Sequence, residues 1–281
     1  MSIITLITDF GNKDHFVAKM KGLIYTKNPD VKIVDISHNV SAFNIMEAAY
    51  ILESSYKSFP ENTVHIIDVD SEKTKENKHI LIYLDNHFFI SNDNGILSIL
   101  AQNINPQKIY EITIYDKLET IDSSTIIFSE IACHLAKGGK PEIIGKKINS
   151  IKKVKNLKPF LDEDLNQIVC SVIYIDNFGN VVTNLKKSLF EEIQKGRNYE
   201  VSARNYKFNK IFSRYSDIIN FKTPVNERND EGKGLVVFNS NNLLQISIYR
   251  SNPNNVGTAA TLMGLKTYDS VTIKFKSWFC W

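Results

Sequence analysis

Carboxylates follow two apolar runs that the sequence predicts to be buried strands. Asp9 comes directly after the run "IITLIT", and Asp68 and Asp70 lie at the end of "VHIIDVD". The carboxyl ends of strands are where open α/β sheets bind ligands. A carboxylate in that place can accept two hydrogen bonds from a ribose diol. The loop after Asp70 is rich in lysine and glutamate and lacks glycine and proline, so its sequence alone does not predict a tight pocket.

Three other polar positions allow a structural interpretation as well as a functional one. Asp14 is placed to cap the helix that follows it, and Gly11 allows the turn before that helix. In "NDNG", residues 92–95, the favoured interpretation is a turn with an asparagine cap. His38, in "DISHNV", is expected to be a hydrogen-bonded structural histidine rather than a catalyst.

The segment "YIDNFGNVVTNL" holds the densest group of polar side chains in the second half of the chain. Asp176, Asn177 and Asn180 flank Phe178 and Gly179 between two predicted strands. This pattern is typical of a hairpin turn. It also fits an adenine pocket, because an aromatic ring offers a stacking face and the amides and carboxylate match the edge of the base.

Composition and missing signatures exclude several classes of function. The net charge is +3, from 34 basic and 31 acidic residues, which gives no electrostatic argument for nucleic acid. There is no GxGxxG, GxSxG or HxxxH pattern, and Cys133, Cys170 and Cys280 lack metal-ligand spacing, so a metal site is not expected. No apolar run has the length of a membrane span, and no signal-peptide pattern is present. We therefore expect a cytoplasmic protein.

The spacing of apolar residues predicts an α/β domain followed by a β-rich one. Strands alternate with helices over residues 1–150, which predicts a mostly parallel sheet covered on both faces. One predicted helix presents Val17, Met20 and Ile24 on a single face. Residues 151–165 are rich in lysine and are expected to be a linker. Residues 166–281 consist mainly of predicted strands.

Several of these segments occur together, in this order, in one known family. The chain resembles the SAM hydroxide adenosyltransferases, the adenosyl-forming SAM hydrolases related to fluorinase and chlorinase. The resemblance rests on "ITDFGNKDHFVAKMKG", "DISHNVSAFNIMEAAYIL", "FPENTVHIIDVD", "FFISNDNGILS", "YIDNFGNVVTNL" and "FNSNNLLQISI". These blocks are spread over nearly the whole chain.

The resemblance implies a three-layer α/β N-terminal domain and a smaller β-barrel-like C-terminal domain. It also implies a homotrimer that binds SAM between the N-terminal domain of one subunit and the C-terminal domain of the next. The family reaction is attack of water or hydroxide at the ribose C5′, which releases adenosine and methionine. SAM is then a substrate, and no cofactor or metal is implied, because the sulfonium is already a good leaving group.

The resemblance also implies roles for individual positions. Asp9 would hold the ribose hydroxyls, Asp14 would face the methionine amino group, and Phe43 would line the sugar pocket. From the C-terminal domain of the neighbouring subunit, the residues implied to contact adenine or methionine are Asp176, Phe178, Asn180, Ser240 and Asn241.

The predicted catalytic positions depart from the family pattern. Hydrolysing members carry an aspartate in D-P-G-V-G, a downstream arginine, and a histidine in F-H-G-R-D. The aspartate position here is Asp70, but Ser71 and the residues after it replace Pro-Gly-Val-Gly. The arginine position is Asn77 with Lys78 beside it, and the histidine position is Ser123. The expected catalytic residues are therefore Asp70, Lys78 and Ser123.

These departures leave three hypotheses open. The first is an enzyme that hydrolyses SAM, in which Asp70 orients water and Lys78 supplies positive charge. The second is a catalytically weakened protein that binds SAM or adenosine, since serine cannot act as a base near neutral pH. The third is a transferase that uses a halide, for which Ser123, Ser124 and Thr125 would offer hydroxyl donors.

Overall fold

The computed structural model describes residues 2–101, 104–115, 123–154, 158–254 and 256–276. The chain divides into two compact units, residues 1–155 and residues 156–281. This division lies within the segment 151–165 that the sequence predicts to be a linker. Within the described residues, no helix has the length and apolar character needed to cross a membrane.

The first unit is a seven-stranded sheet with helices packed on it. Its strands are β1 (Ile3–Thr8), β2 (Lys32–Ser37), β3 (Val64–Asp68), β4 (His79–Leu84), β5 (His87–Asn92), β6 (Lys108–Ile112) and β7 (Gly145–Lys147). Its helices are α1 (Phe16–Lys27), α2 (Ile45–Glu53), α3 (Ile96–Leu100) and α4 (Ser124–Ala136), with 3₁₀ turns at Tyr56–Ser58 and Pro141–Ile143.

The sheet is mixed rather than mostly parallel. Its strand order is β2-β1-β3-β5-β4-β6-β7, and the pairs among the first four strands are parallel. The other three pairs are antiparallel. The reason for the change lies between β4 and β5, where Asp85 and Asn86 both have positive φ and form a two-residue hairpin turn. Such a turn reverses the chain, so the parallel part of the sheet extends over only four of its seven strands.

Apolar residues cover both faces of this sheet. Leu6 packs in one core with residues of α1 and α4, such as Met20 and Phe128. Its neighbour Ile7 packs in another core with residues of α2 and α3, such as Leu52. Adjacent strand residues point to opposite faces, so β1 contributes to both cores. The predicted apolar face of α1 is confirmed, because Val17, Met20 and Ile24 are its buried residues.

The second unit is built mainly from strands. They are β8 (Phe160–Leu161), β9 (Gln167–Ile175), β10 (Val181–Lys186), β11 (Tyr199–Ala203), β12 (Tyr206–Phe208), β13 (Ile211–Phe212), β14 (Gly234–Phe238), β15 (Leu243–Ile248) and β16 (Ser270–Phe275). The helices are α5 (Lys187–Gln194) and α6 (Ala259–Met263), with 3₁₀ turns at Tyr215–Ile218 and Val225–Glu227.

These strands form a barrel-like sheet that is nearly closed. Along the order β12-β11-β16-β9-β10-β15-β14-β13, the two edge strands are consecutive in the chain and only residues 209–210 link them. The sheet must therefore curl until its edges approach. A hydrogen bond from the Ile211 amide to the Tyr199 hydroxyl, 3.0 Å long, links the edge strand β13 to β11, the neighbour of the other edge strand. One apolar core fills the interior.

Candidate active site

The carboxyl ends of β1 and β3 place three carboxylates at one edge of the sheet. In the parallel pairing of these strands, Thr8 lies opposite Asp68. Asp9 follows Thr8 directly, and Asp70 lies two residues beyond Asp68. Because parallel strands end at the same edge, the sheet collects these acidic residues as the sequence predicts.

The Asp9 carboxylate is joined to the loop that carries Phe43. Its Oδ2 accepts a hydrogen bond from the Phe43 amide, at 2.9 Å. Phe43 has a φ of 61° and a side chain that is 73% exposed, which is unusual for an aromatic residue. The next residue, Asn44, caps α2, where its Oδ1 accepts from the Glu47 amide. The result is an aromatic ring held in solvent on the loop that Asp9 anchors.

The capping interpretation of Asp14 is wrong. Helix α1 begins at Phe16 with His15 at its N-cap, and no side chain caps it. Asp14 is exposed, so its carboxylate lies on the surface of the loop between β1 and α1. His38 fits its structural interpretation, because it is buried and its Nδ1 lies 2.9 Å from the Thr8 hydroxyl.

Two asparagine amides shape the loop after β3, which lacks glycine and proline. The Asn94 Nδ2 donates to the carbonyl oxygens of Val69 and Asp70, at 3.1 and 3.0 Å. The Asn92 Nδ2 donates to the Glu72 carbonyl at 2.6 Å. Asn94 also forms the turn that the sequence predicts, since its Oδ1 accepts from the Ile96 amide. The "NDNG" segment is thus a turn and a clamp on the Asp70 loop.

Asp70 follows β3, Lys78 directly precedes β4 and Ser123 precedes α4, so the three residues belong to different elements. Asp70 is exposed and has a φ of 49°, a left-handed conformation that aspartate tolerates better than most residues. Ser123 is the N-cap residue of α4 and makes no side-chain cap hydrogen bond. Over the described ranges, no hydrogen bond or ion pair joins the side chains of these three residues. Their catalytic assignment stays a prediction.

The carboxylate of Asp68 is buried, unlike those of Asp9 and Asp70. Its side chain is almost fully buried, with 1% exposure. The Ser124 hydroxyl donates to Oδ1 at 2.8 Å, and the Thr125 hydroxyl donates to Oδ2 at 3.2 Å. Burial raises the pKa of Asp68 to about 6, against the opposing effect of hydrogen bonds from Ser124, Ser71 and Thr125; the nearby Asp9 charge raises it further.

Sequence reasoning passed over Asp68 in favour of Asp70. The signal was present, because a carboxylate closes an apolar run, and in the fold every residue of the strand β3 is buried. What the sequence did not show is that the first residues of α4 supply hydroxyl donors to it.

In the second unit, three of the predicted ligand-binding residues, Asp176, Phe178 and Asn180, lie in a hairpin turn between β9 and β10. The Asp176 Oδ1 accepts from the amides of Phe178 and Asn180, each at 2.9 Å, and its Oδ2 accepts from the Asn180 Nδ2 at 2.8 Å. The carboxylate therefore holds the turn. Phe178, at its tip, is 61% exposed. The turn is also bonded to the start of α6, where the Ala260 amide donates to the Gly179 carbonyl at 3.0 Å.

Ser240 and Asn241 lie in a different turn, between β14 and β15. That turn precedes Leu243, which pairs with Lys186 at the far end of β10, whereas Val181 at the near end follows the Asp176 turn. The two turns are therefore about 17 Å apart along the strand direction. The residues that do approach the Phe178 turn include Ser251, whose hydroxyl donates to the Phe178 carbonyl at 3.4 Å, and sequence reasoning missed them.

The described residues contain no group of three or more histidine, cysteine, aspartate or glutamate side chains that could hold a metal ion. At the sheet edge, Asp68 accepts hydrogen bonds from two hydroxyls of α4 and Asp9 accepts one from a backbone amide. A carboxylate such as that of Asp9 has further lone pairs that can accept from the hydroxyl groups of a polar organic ligand.

Comparison with known proteins gives relatives along almost the whole chain. A (R)-S-adenosyl-L-methionine hydrolase from Methanocaldococcus jannaschii is 27% identical over 97% of this chain and 96% of its own length. A fluorinase from Actinopolyspora mzabensis is 23% identical over 69% of this chain and 75% of its own length. A crystal structure of an uncharacterised conserved protein from Thermotoga maritima superposes with a TM-score of 0.80 at 26% identity, covering 98% of this chain and 100% of that one.

The family models divide the chain in the same way as the fold. The SAM hydroxide adenosyltransferase N-terminal domain matches residues 4–145, which lie in the α/β unit. The C-terminal domain of the same family matches residues 170–272, which lie in the barrel-like unit. Since the two domains together account for most of the chain and follow in the expected order, the protein belongs to the SAM hydroxide adenosyltransferase family.

Proposed function

We propose that this protein hydrolyses S-adenosyl-L-methionine to adenosine and L-methionine. The observation that carries the proposal is the match to a (R)-S-adenosyl-L-methionine hydrolase over 97% of the chain. The site geometry supports it, because the carboxylates at the ends of β1 and β3 share one sheet edge with the exposed ring of Phe43. A ribose with two free hydroxyls is a suitable ligand for such an edge.

The reaction needs positioning more than activation. The oxygen of water attacks C5′, the C5′–S bond breaks, and its electron pair goes to sulfur, which becomes the neutral thioether of methionine. One proton of the water is released. Because the sulfonium leaves readily, holding water and C5′ in line supplies much of the acceleration.

Each predicted site residue of the first unit has a proposed role in this reaction. Asp9 accepts hydrogen bonds from the ribose hydroxyls, and Phe43 lines the sugar. Asp14 faces the methionine amino group as a counter-charge. Asp70 orients the attacking water, and Lys78 adds positive charge beside it. Ser123 completes the water site as a hydrogen-bond partner, in keeping with the absence of a cap hydrogen bond from its side chain at the N-terminus of α4.

The second unit supplies the remaining contacts in this proposal, within a cytoplasmic homotrimer. Phe178 offers its exposed ring as a stacking face for adenine. Asp176 and Asn180 shape the turn that presents this ring. They also bind the ligand through those side-chain donors and acceptors that are not used in hydrogen bonds within the turn. Ser240 and Asn241 contact the ligand from the turn at the other end of β10.

The test is to incubate the purified protein with SAM in water labelled with heavy oxygen. We expect adenosine and methionine in equal amounts, with the label in the 5′-hydroxyl of adenosine. Chromatography followed by mass spectrometry measures both. The proposal is refuted if adenosine does not form faster than by spontaneous decay of SAM, or if the label is absent from it.

A second candidate function is binding of SAM or adenosine without turnover. The observation that favours it is that no hydrogen bond or ion pair joins the side chains of Asp70, Lys78 and Ser123 in the described part of the chain. Calorimetric titration with SAM, run beside the product assay, separates the two functions. Saturable binding with no product supports the binding protein, whereas binding with product supports the hydrolase.

A further inference from the structure

The buried carboxylate of Asp68 is not among the residues with a role in the proposed reaction. It is the last residue of β3, and all residues of this strand are buried. An ionised carboxylate is unfavourable in such a place unless other groups hydrogen-bond to it. Asp68 lies two residues before Asp70 in the chain and bonds to Ser124, the residue after Ser123, so its unusual environment calls for a functional explanation.

Two hydroxyl groups from the start of α4 reach this carboxylate, and they differ in exposure. Thr125 is 6% exposed, so its hydroxyl is confined to the interior. Ser124 is only partly buried, and its Oγ lies 2.8 Å from the Asp68 Oδ1. Ser124 therefore connects the buried carboxylate with the surface. Because its one hydroxyl proton points to Asp68, its oxygen lone pairs can accept a proton from a water on the other side.

The charges around Asp68 suit a proton acceptor. The groups that face it are the hydroxyls of Ser71, Ser124 and Thr125 and the carboxylate of Asp9. With a pKa raised to about 6, Asp68 is ionised in neutral solution yet binds a proton more readily than an ordinary aspartate. No lysine or arginine neutralises it among the contacts that the structure describes for this side chain.

We propose that Ser124 and Asp68 form a proton relay that takes the proton from the attacking water. This relay rests on the proposed hydrolysis of SAM. As the water oxygen attacks C5′, the water proton moves to the Ser124 Oγ and the Ser124 proton moves to the Asp68 Oδ1. The electron pair of the C5′–S bond goes to sulfur, and Asp68 later releases its proton to solvent. Ser124 is the catalytic residue, and Asp68 is the positioning residue that acts through it.

The relay gives the start of α4 a base that its hydroxyl groups alone cannot provide. A hydroxyl without an adjacent carboxylate does not accept a proton near neutral pH. Two hydroxyls of α4 bond to Asp68, and because that of Thr125 is confined to the interior, only that of Ser124 can also meet water. The alternative is that Asp68 only ties β3 to α4. A structural tie of this kind would hold the fold without affecting how the rate depends on pH.

The experiment compares Ser124→Ala, Ser124→Thr, Asp68→Asn and Ser129→Ala with the parent protein. Ser129 is the matched control, because it lies on the same helix and its hydroxyl bonds to the Thr125 carbonyl within that helix. Adenosine formation from SAM is measured from about pH 5 to about pH 9, where the relay should titrate. Calorimetry with SAM shows whether each variant still binds.

We expect the parent rate to fall on the acid side with a midpoint near the pKa of Asp68, which is about 6. Ser124→Ala and Asp68→Asn should lower kcat by about 10²-fold or more and remove this acid limb, with SAM binding retained. Ser124→Thr keeps the hydroxyl and should retain most of the activity, and Ser129→Ala should match the parent.

An active parent whose Ser124→Ala variant keeps the parent kcat and acid limb would overturn the relay and leave the proposed hydrolysis standing. A lower kcat with an unchanged acid limb would overturn it too, since that result indicates a structural tie. A parent that forms no adenosine refutes the hydrolysis and the relay together. If Asp68→Asn does not fold, the comparison of Ser124→Ala with Ser124→Thr tests the relay by itself.

Discussion

At the scale of single residues, the chain keeps one carboxylate in an environment that opposes its charge. Asp68 loses water on burial, and the hydrogen bonds from Ser124 and Thr125 offset only part of that loss, so its pKa is about 6 instead of 3.8. Between these two values the folded protein binds a proton that the unfolded chain has released. The free energy of unfolding contributed by Asp68 therefore falls as pH rises from about 4 to about 6.

Because the ionised Asp68 lowers the free energy of unfolding, we predict that Asp68→Asn stabilises the protein at alkaline pH while impairing the reaction. The amide keeps the size of the side chain and removes a buried charge. We expect the free energy of unfolding at about pH 8 to rise by about 1–3 kcal/mol, and the gain to vanish near pH 4. Urea unfolding at both pH values measures it.

His65 and His87, whose pKa values burial lowers, titrate in both proteins and cancel in the comparison. Loss of stability at both pH values would show instead that the Asp68 carboxylate is chiefly structural. The trade-off between stability and activity is common where a site needs an unfavourable group.

At the scale of elements, the turn between β9 and β10 depends on Gly179. Its φ is +70°, and a Cβ at this position would overlap the side chain of Thr258, which caps α6. The close approach allows the Ala260 amide to bond to the Gly179 carbonyl. Phe178 is thus presented by a turn that packs on the start of α6.

We predict that Gly179→Ala destabilises the protein more than Gly196→Ala does. Gly196 is the matched control, because its φ is +80° and nothing lies within 4 Å of the position that a methyl group would take there. The control should lose about 1 kcal/mol from backbone strain alone, and Gly179→Ala about 1–3 kcal/mol more from the overlap. Chemical unfolding of both variants tests this, and equal losses would contradict the packing of the turn on Thr258.

At the scale of the whole molecule, we propose a homotrimer whose sites are shared between chains. The predicted catalytic and ribose-binding residues lie in the unit of residues 1–155, and Phe178 lies in the unit of residues 156–281. If each site takes one unit from each of two chains, a defect in one unit can be complemented by a partner with a defect in the other. In a closed ring, a chain that lacks one contact can still supply the other.

We predict that Ser124→Ala and Phe178→Ala, each inactive or nearly so alone, regain activity when their subunits are mixed. Random assembly should give intact sites at about a quarter of the interfaces. The measurement is adenosine formation after joint refolding, with the mass of the assembly checked by sedimentation against three chains of 32.1 kDa each. The shared site would be refuted if the mixed subunits assemble but form no more adenosine than either variant alone. It would also be refuted if the protein is a monomer in solution.

Local signals in the sequence determined much of this fold. The apolar spacing of Val17, Met20 and Ile24 places one face of α1 in the core because helical periodicity depends on neighbours a few residues away. The hairpin at Asp85 and Asn86 is equally local. The order of short motifs was sufficient to identify the family, since each motif corresponds to a local turn or strand.

Contacts between distant parts of the chain were decided only by the tertiary structure. Asp68 and Ser124 are 56 residues apart, and no local pattern predicts that a strand end and a helix start will meet. The clamp of Asn94 on the Asp70 loop and the separation of Ser240 from Asp176 likewise follow from strand register. Register is set by pairing over the whole sheet, so the sequence identified the reactive residue types and the fold selected which of them share a site.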